Sequence, residues 1–304
     1  MNTLTIINNT NTIQALDNNM FERFISYLDA KPKTIETYTK SLRAFYKWVM
    51  ESGITNPTFE DVKAYRDYLL TEYKPATVQA YIFVVRRFFQ WSEQAGLYPN
   101  VAGKLKGATI TREPKKDYLT SSQVKTILSN ITNIRDKAIV ALMVSCGLRD
   151  IEVSRANVED MRTLGDNTVL YLQGKGRDER NEFVIIPQPV EQAIRDYLKS
   201  RGSVNGSDPL FTSESNNSKG KRMTTRAISG IVKNTLIAAG FDSDRLTAHS
   251  LRHTAVTLAL LNGANVQEAQ QFARHKSINT TLIYAHNLEK QNNKCSGLVA
   301  NAIF

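Results

Sequence analysis

Apolar residues recur at helical spacing through the first hundred positions. Phe21, Phe24, Ile25 and Leu28 mark one face of a helix that begins near Asp17 and ends at Lys31-Pro32, because proline restricts the backbone of the residue before it. Thr34 is then in place to cap a second helix carrying Thr37, Tyr38, Leu42, Phe45, Tyr46 and Val49, which stops before Gly53. A third helix follows Thr58, with Val62, Tyr65, Leu69 and Leu70 apolar. A fourth starts at about Pro75, carries Val78, Ile82, Val85, Phe88, Phe89 and Trp91, and ends near Gly96. Short connections between four such helices predict a compact all-α domain over residues 17–98. Residues 1–16, rich in Asn and Thr with scattered apolar positions, read as a poorly ordered lead.

The pattern then changes. Residues 99–117 hold Pro99, Gly103, Gly107 and Pro114 together with Lys104, Lys106, Arg112, Lys115 and Lys116, and read as a basic interdomain linker. A second domain, 118–288, opens with a capped helix from Thr120 or Ser121 to Leu128. A helix from about Asn133 to Val144 follows, ended by Gly147, and another starts at Arg149. Residues 168–172 and 182–186 have strand character, with Gly174-Lys175-Gly176-Arg177 supplying a turn between them. Helices are predicted over Pro189–Lys199, Thr224–Ala239, Thr247–Asn262, Val266–Ala273 and Ile278 to about Tyr284, with a polar basic loop at Ser213–Lys221. The fold class is therefore mostly α with a small β-sheet: an all-α domain followed by an α+β domain. Residues 289–304 form a tail whose end, Leu298 to Phe304, is apolar after a polar spacer, which is wasteful unless it docks.

At 304 residues the chain is long enough for two cores, and 41% hydrophobic with 22% charged residues is an ordinary globular balance. The longest unbroken apolar run, Ala138–Val144, is far too short to span a bilayer. The start, Met1 to Gln14, has neither basic residues nor a long apolar stretch and does not read as a secretory leader. The expectation is a cytoplasmic protein with no membrane partner. Cys146 and Cys295 are too few and too far apart for a disulfide framework or a zinc site.

Charge alters the picture more. The net charge is +10, and it is shared: 16 basic against 12 acidic residues up to Asp117, and 23 against 17 after it. A basic excess on both halves fits a protein that holds a polyanion between two lobes, although a soluble basic surface would look the same. Lys40, Arg43, Lys47, Arg86 and Arg87 stand on polar faces of the first domain, either as phosphate contacts or as a solvated face.

All four histidines, His249, His253, His275 and His286, fall in the last quarter of the chain, among arginines. A metal site is disfavoured, since Arg252 would repel a cation and Glu268 is the one carboxylate between His249 and His275. An anion site suits the same residues. His249 and Arg252 are three apart at the start of the Thr247 helix, on one face and near its positive end, where N–H groups converge on a phosphate. Arginine contributes a planar two-pronged donor that stays charged at any working pH. His253 and His286 read as hydrogen-bonded imidazoles.

The string Thr247-Ala-His-Ser-Leu-Arg-His-Thr254, then Gly263, then His275-Lys-Ser-Ile-Asn-Thr-Thr-Leu-Ile-Tyr284-Ala-His286, resembles the C-terminal motif of the tyrosine recombinase (phage integrase) family, in particular its short Xer-like and mobile-element members. Cys146-Gly-Leu-Arg149-Asp-Ile-Glu152 resembles the family's first arginine box. Gly174-Lys175-Gly176-Arg177-Asp-Glu-Arg180 resembles its β-turn lysine box, and Pro209-Leu210-Phe211 a structural box between them. The helices around Thr37-Tyr38, Leu42–Phe45 and Arg86–Trp91 are similar to the family's core-binding domain. The resemblance spans about Asp17 to His286.

It implies a DNA breaking-rejoining catalytic fold, cleavage through a 3′-phosphotyrosyl intermediate without ATP, metal or other cofactor, double-stranded DNA as partner, and a homo-oligomer, a tetramer, on that DNA. By the same resemblance Tyr284 is the nucleophile, Arg149 and Arg252 grip the non-bridging oxygens, His275 adds a donor, Lys175 protonates the leaving 5′ oxygen and His249 is the candidate general base. Glu152 is a supporting residue. Arg177, Arg180, Lys219, Lys221, Arg222 and Arg226 are further candidates for DNA contact, as are Lys104 and Lys106. The tail residues Leu298, Ile303 and Phe304 are expected to dock, on a neighbouring subunit or on their own domain. One departure stands out: the family usually has glycine where this chain has Arg274, so that position either carries backbone strain or adopts another turn, with the arginine offered to a phosphate. The rival readings are a type IB topoisomerase and a catalytically silent DNA-binding regulator.

Overall fold

A computed structural model describes residues 16, 18–109, 117–173, 181–291 and 295–303. The chain divides into two compact units, Met1–Glu113 and Pro114–Phe304.

The first unit is built on four helices: α1 (Asn18–Tyr27), α2 (Pro32–Glu51), α3 (Phe59–Glu72) and α4 (Pro75–Gln94). Their starts follow local chemistry. Thr58 and Asp61 form a reciprocal capping box at α3, with the Thr58 N–H donating to Asp61 Oδ2 at 2.8 Å. Helices α2 and α4 begin with proline in the first turn, after Lys31 and Lys74. This corrects the expectation that Thr34 caps α2: the Thr34 N–H already donates to Lys31 O at 2.8 Å, because Pro32, with φ pre-set and no N–H to satisfy, suits the first helical position. The core is aromatic. Phe88 is fully buried and meets Phe21, Phe24, Phe89 and Trp91 at ring separations of 4.6, 5.7, 5.2 and 6.1 Å. Tyr98, Ala102 and Leu105 are buried in the same core, so the front of the segment expected as a linker is packed into this unit, and residues 110–116 lie outside the described ones. Of the expected lead, only Leu16 is described, and it is buried.

The second unit comprises α5 (Ser121–Asn130), α6 (Ile134–Cys146), α7 (Asp150–Arg155), a 3-10 turn at Val158–Asp160, a sheet, then α8 (Gln188–Arg201), α9 (Thr225–Ala238), α10 (Ala248–Leu261), α11 (Val266–Ala273), α12 (Ile278–Gln291) and α13 (Cys295–Ile303). Helix α6 is its axis: every residue from Ala138 to Val144 is buried, so the helix is apolar all round and packs against α8 and α10. The sheet has three antiparallel strands in sequence order, β1 (Met161–Leu164), β2 (Asn167–Leu172) and β3 (Glu182–Ile185). Strand β1 is added to the two expected strands, with Met161 paired to Leu170. Leu172 pairs with Glu182, which ties together the two ends of the 174–180 segment, itself outside the described residues.

Glycine is required at Gly147, which ends α6 with φ 59°. A Cβ there would meet Phe272 Cε1 at 3.1 Å, so both backbone conformation and close packing exclude larger residues. Helix α12 runs seven residues beyond Tyr284, and the tail forms α13.

Phe88→Ala is expected to lower the stability of the first unit by about 3–5 kcal/mol, the range for emptying a large buried aromatic site. Thr58→Ala should remove about 1 kcal/mol through loss of the cap. Urea titrations following far-ultraviolet circular dichroism check both, and equal midpoints for Phe88→Ala and the unaltered chain would contradict the packing described.

Candidate active site

Arg149 stands at the N-cap of α7, immediately after the turn that Gly147 makes. Its backbone N–H donates to Glu152 Oε2 at 2.9 Å and its Nη1 to Glu152 Oε1 at 2.6 Å. The guanidinium stays about a third exposed while the carboxylate is buried, at 1%. Burial raises the Glu152 pKa, but the Arg274 charge, the hydrogen bond from the Arg149 backbone and the Arg149 charge outweigh it and hold the carboxyl below its usual range. Glu152 is thus an ionised buried anion that aims Arg149.

Arg252 lies on α10, one turn beyond His249, and is 1% exposed. Its Nη1 donates to Gly147 O at 2.6 Å and its Nη2 to Ala273 O. A guanidinium has five N–H donors, and these carbonyls take two of them, fixing the plane of the fork. Burial, and then repulsion from Arg149 and Arg274, lower its pKa to about 10, which leaves it charged at neutral pH. His249, on the same face, is exposed and lines a groove of about 510 Å³ with Asp150, Arg226, Ser229 and Lys233.

Arg274 ends α11 in the left-handed region, φ 52° and ψ 45°, alone among the described non-glycine residues in having positive φ. That conformation costs a non-glycine residue roughly 1–2 kcal/mol. It releases His275, whose Nδ1 is 2.9 Å from the Oγ1 of Thr281, a fully buried residue. Burial, followed by the charges of Arg252, Arg149, Arg274 and His249, lowers the His275 pKa to about 4. The imidazole is therefore neutral at neutral pH and has one N–H to donate.

Tyr284 is carried by α12, three residues after Thr281 and on the same face. Its ring is 9% exposed and packs with Val256, Ala269 and Ala273. His253 meets it edge-on at 4.5 Å and His275 stacks at 6.0 Å. Burial raises the pKa of the phenol, while Arg252 and Arg149 pull it back. The hydroxyl is therefore protonated at neutral pH and lies in the field of both guanidinium groups.

Five of the six residues expected around one phosphorus atom, Arg149, His249, Arg252, His275 and Tyr284, are thus linked in one region of the second unit. The sixth, Lys175, lies outside the described residues, as do Arg177, Arg180 and Phe304. Lys40, Arg43 and Lys47 on α2, Arg86 and Arg87 on α4, and Lys104, Lys106, Lys219, Lys221 and Arg226 are exposed. One expected phosphate contact is corrected. The side chain of Arg274 is 6% exposed and holds Phe272 O, Gly147 O and Glu152 Oε2. Arg222, also expected to meet DNA, is exposed and gives Nη1 to Ser154 O and Ala156 O and Nη2 to Asn157 Oδ1, bracing the chain after α7. At Arg274 a buried carboxylate and two backbone carbonyls lie within reach and draw the fork inward. Among the described residues no group of three or more His, Cys, Asp or Glu side chains could hold a metal ion.

Sequence reasoning missed Thr281, the edge contact of His253 on the tyrosine, and the Gly147 carbonyl. The spacing of Thr281 and Tyr284 was a usable signal, but a backbone acceptor has no sequence signature.

A helical unit followed by an α+β unit with these arginines, histidines and a tyrosine together fits a DNA strand transferase of the tyrosine class. The family models agree: residues 117–291 match the phage integrase family and residues 10–96 match the phage integrase N-terminal SAM-like domain. The chain belongs to the phage integrase family, and it is a tyrosine-type site-specific recombinase. Tyrosine recombinase XerC of Pelobacter propionicus is 30% identical over 271 residues, covering 84% of this chain and 85% of the relative. Tyrosine recombinase XerC of Leptospira interrogans is 26% identical over 283 residues, covering 88% of each. Among solved structures, the Tn1549 transposon integrase in complex with transposon right end DNA superposes with a TM-score of 0.71 at 17% identity, covering 90% of this chain and 98% of that one. XerH bound to its palindromic difH substrate superposes with a TM-score of 0.70 at 19% identity, covering 90% and 83%. These two likenesses are of fold.

The burial of His275 gives a pH signature. Between about 4 and 6.5 the unfolded chain binds a proton at this residue that the folded chain does not, so its contribution to stability is complete above pH 6.5 and is lost as pH falls toward 4. A nuclear magnetic resonance titration should find the His275 ring still neutral at pH 6, and His275→Gln should flatten the stability slope across that window. A His275 ring titrating at the ordinary histidine value would contradict the site geometry.

Proposed function

We propose that the chain binds double-stranded DNA in the cytoplasm and exchanges strands there as a homo-oligomer, a tetramer at the point of exchange. The Tyr284 hydroxyl attacks the scissile phosphorus. The bond from phosphorus to the 5′ oxygen breaks, that oxygen takes a proton from Lys175, and the 3′ phosphate remains on the tyrosine. The phenol proton passes to His249 as general base. Attack by a 5′ hydroxyl from another strand reverses the step, and because the phosphotyrosine conserves the phosphodiester, no ATP or metal enters.

Arg149 and Arg252 stabilise the charge that grows on the non-bridging oxygens, and neutral His275 donates one hydrogen bond to the same group. The observation that carries this reading is the seating of Tyr284: its ring meets His253 edge-on and stacks with His275, and its hydroxyl lies in the field of two guanidinium groups. A buried tyrosine that served only packing would not need two cations beside it. Exposed basic side chains in both units, among them Lys40, Arg43, Lys47, Arg86, Arg87, Lys104, Lys106, Lys219, Lys221 and Arg226, are proposed as backbone contacts. The apolar α13, with Leu298 at 65% and Ile303 at 67% exposure, is proposed to dock on a neighbouring subunit.

On a nicked suicide duplex the unaltered chain should form a covalent protein–DNA adduct, and Tyr284→Phe should form none while binding the same DNA equally well. Arg252→Ala should slow adduct formation by about a hundred- to a thousandfold, the effect of losing one preorganised donor. Adduct with relaxation of supercoils but no recombinant product would favour a topoisomerase. Absence of adduct from the unaltered chain would favour a silent binding module. Removal of residues 296–304 should impair synapsis, and unchanged synapsis with unchanged cleavage would remove the intersubunit role of the tail.

A further inference from the structure

The side chain of Arg274 has no part in the roles above, yet it sits at their centre. Its Nη2 donates both to Glu152 Oε2, at 2.9 Å, and to Gly147 O, at 3.1 Å. Each of those acceptors is shared with one of the two phosphate-gripping arginines. Glu152 also accepts from Arg149, and Gly147 O also accepts from Arg252. One unbroken path of hydrogen bonds therefore runs from Arg149 through Glu152, Arg274 and Gly147 O to Arg252. The path is buried: Glu152 and Arg252 are 1% exposed and the side chain of Arg274 is 6% exposed. Its cost is visible in two places. The Arg274 backbone is held in the left-handed region that glycine would enter freely, and its Nε is buried with no hydrogen-bond partner. A strained backbone and an unsatisfied donor at one residue mark a position retained for something other than local stability.

We propose that Arg274 is a positioning residue for strand cleavage, a bridge that fixes the spacing of Arg149 and Arg252 by holding the Glu152 carboxylate and the Gly147 carbonyl with one nitrogen. The inference rests on the proposed roles of those two arginines. Both guanidinium groups must meet oxygens of a single phosphorus, and effective donation depends on their being held in place before the charge develops. Glu152 orients Arg149, and Gly147 O together with Ala273 O orients Arg252. Arg274 ties the two supports together, joining the turn after α6 to the end of α11. Arg274 also joins Arg149 and Arg252 as a third cation in the neighbourhood of one carboxylate, an excess of positive charge suited to a phosphate.

Arg274→Gly tests the idea, because glycine keeps the left-handed turn while removing the side chain that forms the bridge. Thermal unfolding establishes that the variant folds. Single-turnover adduct formation on the suicide duplex should then fall on the order of a hundredfold with DNA affinity unchanged. The acid limb of the rate profile should move to higher pH, because Glu152 faces Arg274 and Arg149 and loses the stronger of the two charges that hold its carboxyl down. Arg274→Lys, whose single ammonium cannot reproduce the planar fork, should fall between the two. If Arg274→Gly does not fold, Arg274→Lys carries the test alone. A rate and a pH profile equal to those of the unaltered chain, in whichever variant folds, would overturn the proposal. If the unaltered chain forms no adduct, the functional reading fails by itself, and the His275 titration still reads Arg274. Facing Arg252, Arg149, Arg274 and His249, that ring should titrate above about 4 once Arg274 is glycine, and an unmoved titration would count against the bridge.

Discussion

A single buried carboxylate organises the catalytic unit. Glu152 is an anion removed from water, and such a group is tolerated only if cations and hydrogen bonds replace its hydration. Two guanidinium groups and one backbone N–H do this, drawn from α7 and from the end of α11. Arg149 is held by its own helix start, but Arg274 lies 122 residues away in sequence, so this ion pair cannot form until α6, α7, α10 and α11 have assembled. The charge requirement of one residue thus couples formation of the site to formation of the fold.

Beneath the charges is an apolar floor. Gly147 allows α6 to end against Phe272 with its carbonyl turned toward Arg252 and Arg274. Val256, Ala269 and Ala273 receive one side of the Tyr284 ring, and small residues at two of these positions let α11 and α12 approach closely enough to bring the phenol beside the arginines. Burial raises the tyrosine pKa and the arginines lower it, so the same arrangement that keeps the phenol protonated at rest supplies charges that favour its ionised form. His275 is treated differently. Three arginines and burial keep it neutral, which makes it a hydrogen-bond donor rather than a fourth cation.

The first unit needs no such balance. Its core is a cluster of stacked and edge-on aromatic rings contributed by all four helices, and the basic residues of α2 and α4 stay at its surface. The chain after α4 folds back to bury Tyr98, Ala102 and Leu105, so the polar and glycine-rich composition of that stretch disguised a packed segment. Three apolar positions in a run rich in Gly, Pro and Lys carry too little periodicity to distinguish docking from solvation.

The sequence alone determined the helices of the first unit and most of those of the second, because one buried face repeated over several turns leaves an unmistakable spacing at Leu42, Phe45 and Val49 or at Val78, Ile82 and Val85. It also determined which residue types could meet a phosphate, since Arg149, Arg252, His275 and Tyr284 stand in ordered motifs whose chemistry is local to each side chain. Strand β1 escaped notice because it buries almost nothing and so has no alternation to read. The direction of Arg274 was decided only by the tertiary structure. From sequence it was an arginine at a turn, equally suited to a surface phosphate. Whether a cation points outward or inward depends on which acceptors lie nearby, and those acceptors, Glu152 and the Gly147 carbonyl, come from parts of the chain that only folding brings within hydrogen-bond reach.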